Sequence, residues 1–186
     1  MSEFVRELER VYPTTIRSLR RAACEELIFE FEGFLDAELA GVNEPARWLP
    51  LYLKSREVPP LILQASEWEW AHFICQAVDF GRRPLDAGQI HYNSSMQFIE
   101  LHNRVPELDK DRGLYGIFRS KNGIQHRFFP LAEALILESL HEDRKFSKTQ
   151  LAEYAAFEAE SWPGLKGINW SQLIDEMIAA GVLVEN

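Results

Sequence analysis

Residues 114–130 read LYGIFRSKNGIQHRFFP, and they predict how the second half of the chain folds. Two runs rich in apolar residues, Leu114–Arg119 and Ile124–Phe129, flank a tetrapeptide that ends in Asn122-Gly123. Asn-Gly tolerates the positive φ angles of tight hairpin turns. The sequence therefore predicts an antiparallel β-hairpin, with Pro130 starting a helix directly after it.

The segments around the hairpin predict one more strand before it and three helices after it. Met96–His102 alternates partly between apolar and polar residues, as a strand does. The helices are expected to start at Pro130, at Ser147 and at Asn169, where the last two residues serve as N-caps. Residues 182–184 predict a short final strand. The order β-β-β-α-α-α is typical of a winged-helix-like subdomain.

The first half of the chain is predicted to be helical. Apolar residues recur at spacings of three and four over Phe4–Val11, and again over a helix that begins at Pro13 and continues to Phe31. A third helix is expected at about Ile62–Phe80. We therefore predict an α+β fold that is mostly α: a helical subdomain at 1–90, then a small antiparallel sheet and three helices at 91–186.

Composition indicates a globular protein of the cytoplasm. The chain has 186 residues and a net charge of −9. No run approaches the ~18 apolar residues that cross a bilayer, and the N-terminus lacks the layout of a signal peptide. Cys24 and Cys75 have neither CxxC spacing nor further partners, so we expect both to be reduced. No membrane partner is predicted.

The net negative charge is concentrated at the C-terminal end of the chain. Residues 131–186 hold four basic and ten acidic residues. Because phosphate backbones are bound by Lys and Arg, this end should repel nucleic acid and attract a basic peptide or protein surface. A winged helix can read DNA, so a winged-helix nucleic-acid-binding regulator is the alternative function, and the acidic balance opposes it.

Two E-x-x-H pairs, Glu69/His72 and Glu138/His141, are the candidates for metal chemistry. Such pairs on facing helices build carboxylate di-iron sites in four-helix bundles. Here a hairpin and three prolines separate them, and a histidine at a helix end is favoured by the helix dipole alone. We therefore expect solvated or capping residues and no metal site. The sequence also lacks a nucleophile elbow, a P-loop and a G-x-G-x-x-G motif, so an independent enzyme is not predicted.

Trp68 and Trp70 are candidates for a binding role. Two positions on a helix are about 200° apart, so both rings cannot point at the same core. One ring can pack inside while the other lies at an interface, where tryptophan is enriched. Helix contacts between the two halves of the chain would give the same pattern. We predict that Trp68 and Trp70 mark a partner interface.

The hairpin offers a site for an extended peptide. A small sheet with an open edge can bind a peptide as an added strand, and nearby carboxylates favour a basic one. A sheet covered by the N-terminal helices is the alternative arrangement. The predicted peptide-binding residues are Ile124, Gln125, His126, Arg127, Phe128, Asp175 and Glu176.

A family resemblance extends over nearly the whole chain. The motifs that carry it are, in order, Tyr12-Pro13, Leu49-Pro50, Pro59-Pro60-Leu61, Ala65–Ala71, Phe118-Arg119, Asn122-Gly123 and Phe129–Ala134. Together they resemble the partner subunits of multinuclear non-haem iron oxidative enzymes. The short chain is most similar to the methanobactin branch of that family.

This resemblance implies a non-catalytic subunit that forms a heterodimer with an MbnB-like iron enzyme. The iron ligands would lie on that enzyme, and no cofactor is expected in this chain. Such complexes use oxygen to convert cysteines of a ribosomally made precursor peptide into oxazolone and thioamide groups. The implied role of the subunit is to hold the leader of the precursor, and leaders of that class tend to be basic.

Overall fold

The computed structural model divides the chain into two compact units. The ranges that it describes are 3–38, 45–77, 87–141 and 145–185. The first unit comprises Met1–Ile74 and Ile99–Gly113, and the second comprises Cys75–Phe98 and Leu114–Asn186. The chain thus passes between the units three times, whereas the sequence predicted one passage after residue 90.

The first unit is built from helices around one apolar core. They are α1 (Glu3–Val11), α2 (Pro13–Arg21), α3 (Glu26–Glu38), α4 (Leu49–Ser55) and α5 (Pro60–Ala77), whose last three residues belong to the second unit. The stripe predicted for α1 is confirmed, because Val5, Leu8 and Val11 are buried. The structure describes α5 as far as Ala77, and the predicted end of this helix at Phe80 lies outside the described residues.

The prediction of a single helix from Pro13 to Phe31 is wrong. The backbone of Ala23 is left-handed, with φ 55°. The N–H of Cys24 donates to the carbonyl of Leu19 across this turn, over 2.9 Å. Such a Schellman-type end satisfies the last carbonyls of α2. The apolar spacing continues through the turn because both α2 and α3 pack on the same core.

The second unit holds the predicted hairpin and the three helices that follow it. Its elements are β1 (Ile90–Tyr92), β2 (Gln97–Leu101, shared with the first unit), β3 (Gly113–Ser120, which starts in the first unit), β4 (Gly123–Phe128), α6 (Leu131–His141), α7 (Lys148–Ala159), α8 (Trp170–Ala179) and β5 (Leu183–Glu185). Ser147 and Gln150 form the predicted capping box, and the Asn169 side chain accepts from the N–H of Gln172. Local sequence therefore fixes where α7 and α8 begin.

The described residues form two sheets, and one of them contains a strand that the sequence did not predict. The hairpin belongs to a three-stranded sheet of order β2-β3-β4. β1 pairs with β5, and Ile90 also bridges to Phe146, where its N–H donates to the Phe146 carbonyl over 2.9 Å. A strand of three residues carries too little periodicity to be recognised, and its pairing partner lies some ninety positions away.

The predicted class, α+β with mostly helix, is confirmed. The winged-helix comparison stays a prediction. No helix among the described residues is both long and apolar enough to cross a membrane.

Candidate functional site

The outer edge of β4 is the candidate binding site. β4 pairs with β3 in the register Tyr115↔Phe128 to Ser120↔Gly123, and it ends the order of its sheet within the described part of the chain. In an antiparallel pair, hydrogen-bonded and non-hydrogen-bonded residue pairs alternate. The N–H of Phe129 donates to Leu114 over 2.9 Å, which fixes the phase of this alternation.

This phase decides which backbone groups of β4 face outward. Gln125 and Arg127 lie an even number of positions from Phe129, so their N–H and C=O groups point at β3. The corresponding groups of Ile124, His126 and Phe128 point away from β3. The outward positions would give an added strand its hydrogen bonds. We predicted Gln125 as a peptide contact, but its backbone groups point at β3 and hold the hairpin together.

Phe128 gives this edge an apolar side chain. Its ring is 48% exposed and lies edge-on to Tyr115, with a centroid distance of 5.5 Å. Ile124 is half-buried and His126 is exposed on the same face of the strand. This face therefore offers apolar surface beside the outward hydrogen-bonding groups.

The Arg127 side chain points at α6, where the prediction placed it on a peptide. Its Nε and terminal nitrogen bind the two carboxylate oxygens of Glu133 at 3.0 and 2.7 Å. Glu133 is buried, so this bidentate pair lies mostly away from water. Fork-to-carboxylate geometry is both strong and directional. The pair fixes the C-terminal half of β4 against α6.

Asp175 and Glu176 lie exposed on α8, and both have partners in the helical part of the unit. Asp175 forms an ion pair with Lys148 of α7. Glu176 accepts from the side-chain amide of Gln172, one turn earlier, at 2.9 Å. Their carboxylates remain acidic surface, and the pairing with Lys148 offsets part of that charge. Their predicted contact with a peptide stays a prediction.

The two tryptophans of α5 belong to the interior more than to the surface. Trp68 is 4% exposed, with the Lys110 ammonium 5.6 Å from its ring centroid. Trp70 is half-buried between Tyr12 and Phe73, with centroid distances of 6.5 and 5.6 Å. The burial of Trp68 leaves its ring little surface to offer a partner. The interface that we predicted at these residues stays untested.

Glu69, the carboxylate of the first E-x-x-H pair, caps a helix. Its Oε1 accepts from the N–H of Thr14 at 2.6 Å, and its Oε2 accepts from the N–H and the hydroxyl of Thr15 at 2.9 and 2.8 Å. These two N–H groups open the first turn of α2 and have no partner within the helix. Burial lowers the pKa of His72, and the carboxylate of Glu69 opposes that shift.

The second pair adds no metal site to the described residues. Glu138 is exposed on α6, and the side chain of His141 lies outside the described part of the structure. Among the described residues, no group of three or more His, Cys, Asp or Glu is placed to hold a metal ion. The capping role expected of these pairs is thus observed at Glu69.

A polar cluster that the sequence did not reveal holds β3 to the end of α5. Arg119 donates from its guanidinium to the carbonyls of Cys75 and Gln76, at 2.6 and 3.0 Å. The thiol of Cys75 contacts the carbonyls of Ser95 and Ile117, each at 3.3 Å. Burial raises the pKa of this thiol to about 11. Cys75 is therefore a buried packing residue of this cluster.

Comparison with known proteins assigns no family to the chain. It matches no protein-family model and no curated protein. The function must therefore be inferred from its own residues and motifs.

Proposed function

We propose that this chain is the non-catalytic partner subunit of an iron- and oxygen-dependent peptide-modifying enzyme, and that it binds the leader of the precursor peptide as a strand added to β4. The observation that carries the proposal is the position of β4 at the end of its sheet order, with outward backbone groups at Ile124 and Phe128. Strand addition uses such groups for affinity and neighbouring side-chain surfaces for specificity.

The dimensions of this edge suit a short peptide strand. Ile124 and Phe128 are four positions apart, which corresponds to roughly 13 Å along a strand. A peptide that pairs over this length can place a side chain beside the exposed ring of Phe128. The Arg127–Glu133 pair holds the strand in place before the peptide arrives, which lowers the ordering cost of binding.

Charge favours a basic peptide. The exposed carboxylates of α8 belong to a C-terminal region with ten acidic and four basic residues. Long-range attraction of this kind raises the rate of association more than it raises final affinity. The same carboxylates weigh against the nucleic-acid-binding alternative, because the exposed face of α8 would meet phosphate with Asp175 and Glu176.

The motif resemblance supplies the partner and the chemistry of the proposal. The chain is similar in length and motif order to MbnC, the methanobactin biosynthesis protein that pairs with MbnB. In this proposal it forms a cytoplasmic heterodimer with an MbnB-like iron enzyme, which holds the iron. The precursor's cysteines would become oxazolone and thioamide groups on that enzyme. The chain's own residues bind and orient the leader.

Proline substitution along β4 tests the proposal, because proline removes an N–H at a chosen position. Ile124→Pro removes an outward donor and is tolerated at a sheet edge. We expect it to raise the Kd for a labelled leader peptide at least fivefold without a large fall in Tm. Gln125→Pro removes a bond to β3 and should lower Tm.

Glu185→Pro is the matched control for the leader experiment. The N–H of Asn93 donates to Val182, so the N–H of Glu185 points outward from the edge of the other sheet. This control should leave the Kd unchanged. An unchanged Kd in folded Ile124→Pro, or an equal rise in both variants, would contradict binding along β4. Failure of the unaltered protein to bind any leader of its own precursor would contradict the proposed function.

A further inference from the structure

The C-terminal end of α7 presents two aromatic side chains to solvent. Phe157 is 66% exposed and Trp162 is 49% exposed. The chain continues from α7 through tight turns, in which the N–H of Trp162 donates to Ala159 over 2.9 Å. Trp162 therefore lies within one turn of the end of α7. We call Glu153, Phe157, Glu160 and Trp162 the α7 patch.

The exposure of Phe157 follows from its position on the helix. The buried side of α7 is formed by small and aliphatic residues, including Leu151 and Ala155. Phe157 is two positions from Ala155, so it lies about 200° around the helix and faces away from the core. Together the two rings expose roughly 200 Å² of aromatic surface. Aromatic residues are enriched at protein interfaces relative to the rest of the protein surface.

The stretch of chain that carries the two rings is acidic. Residues 149–165 include three glutamates and no Lys, Arg or His. Glu153 and Glu160 stand four residues before and three residues after Phe157, which places them beside it on the helix surface. Both are exposed, and neither has an ion pair within the part of the chain that the structure describes.

A comparison within the chain distinguishes this patch from a single exposed ring among acids. Phe29 on α3 is 60% exposed and also has glutamates nearby. Two of those, Glu25 and Glu30, already have ion pairs with Arg20 and Arg56. The glutamates of the α7 patch keep their charge available, and their patch has a second aromatic ring.

We propose that the α7 patch is a docking surface for a basic segment of a partner protein, in which an apolar side chain packs on Phe157 and Trp162 while Lys or Arg residues meet Glu153 and Glu160. A second copy of this chain is disfavoured as the occupant, because two chains of net charge −9 would bring like charges together. Anionic lipid and nucleic acid are disfavoured for the same reason. The proposal does not depend on leader binding at β4.

Binding of a defined basic peptide tests the proposal. The probe is a fluorescein-labelled amphipathic peptide of six lysines and six leucines, and its matched partner carries glutamate for lysine. We expect the lysine peptide to bind in low salt and the glutamate peptide not to bind. Phe157→Ala should raise the Kd at least tenfold, as truncation of a buried aromatic anchor does. Neutralising Glu153 and Glu160 to Gln should reduce the salt dependence of the Kd.

Two controls make the outcomes distinguishable. Phe29→Ala removes an equally exposed ring elsewhere and should change the Kd less than twofold. Glu185→Pro should also leave it unchanged, and the leader proposal is tested by a different variant, Ile124→Pro, so failure here is separable from failure of the leader proposal. Equal effects of Phe157→Ala and Phe29→Ala, or no binding of the lysine peptide, would overturn the proposal. Concentration-dependent dimers in sedimentation equilibrium that Phe157→Ala abolishes would assign the patch to a second copy and overturn it as well.

Discussion

Replacing Glu69 by Gln should destabilise the helical unit, although the two side chains have almost the same shape. The carboxylate accepts three hydrogen bonds from Thr14 and Thr15 at the start of α2, and it is only 6% exposed. A glutamine has one carbonyl oxygen and an NH2 group. Whichever way the amide is oriented, that NH2 group faces a backbone N–H, and one capping bond is lost.

The size of the effect follows from the bonds that change. A hydrogen bond to a charged group contributes about 1.5–3 kcal/mol, and an anion at a helix N-terminus contributes a further 0.3–1 kcal/mol or so. Relief of the buried charge offsets part of this loss. We therefore expect Glu69→Gln to lower the free energy of unfolding by about 2–3 kcal/mol. For a chain of this length, that corresponds to a fall in Tm of roughly 5–10 °C.

Urea unfolding followed by circular dichroism measures the difference, with Glu138→Gln as the matched control. Glu138 belongs to the other E-x-x-H pair and is exposed, so its substitution should change the free energy of unfolding by less than about 0.5 kcal/mol. A Glu69→Gln variant as stable as this control would refute the capping argument. Iron in the purified single chain that both variants lose would refute it in favour of a metal site.

The remaining predictions concern buried polar groups of the second unit. Glu133→Gln leaves the Arg127 guanidinium without its carboxylate. Because Arg127 is partly exposed, we expect the free energy of unfolding, measured in urea, to fall by about 1–2 kcal/mol. An unchanged unfolding midpoint would contradict the role of this ion pair. With a pKa of about 11, Cys75 is only about 0.1% thiolate at pH 8, so iodoacetamide should label Cys24 before Cys75, as read by peptide mass spectrometry. Since burial favours the neutral thiol, its contribution to stability should be present below pH 9 and be lost as the pH rises towards 11. Equal labelling of both cysteines at pH 8 would contradict the burial of Cys75.

The elements that could be predicted from the sequence are those specified by neighbouring residues. Asn122-Gly123 marks the hairpin turn, and Gly123 has a φ of 96°, a conformation that side chains disfavour. Ser147 and Asn169 cap their helices through residues three positions on. Each of these signals needs only a few consecutive residues, so its meaning does not depend on the rest of the fold.

The features that were missed depend on residues far apart in the sequence. β1 exists as a strand through its pairing with β5 and Phe146. Glu69 caps a helix that begins more than fifty positions earlier. The inward direction of the Gln125 backbone depends on the phase of the hairpin ladder, which a pattern of residue types cannot give. A candidate edge could therefore be predicted from the sequence, but its outward donors could not.

Aromatic residues on helices were the least predictable part of the candidate sites. Spacing alone showed that Trp68 and Trp70 point in different directions, and both are used mainly in packing. Phe157 carries a usable signal, since it breaks the apolar stripe of α7, but its exposure is evident only once the buried side of that helix is known.

Co-expression with an MbnB-like iron enzyme tests whether this chain is a partner subunit. Size-exclusion chromatography would separate the species, and metal analysis of each peak would locate the iron. We expect a one-to-one complex in which iron is present only when the enzyme is present. Two separate monomers, or iron carried by this chain alone, would contradict it.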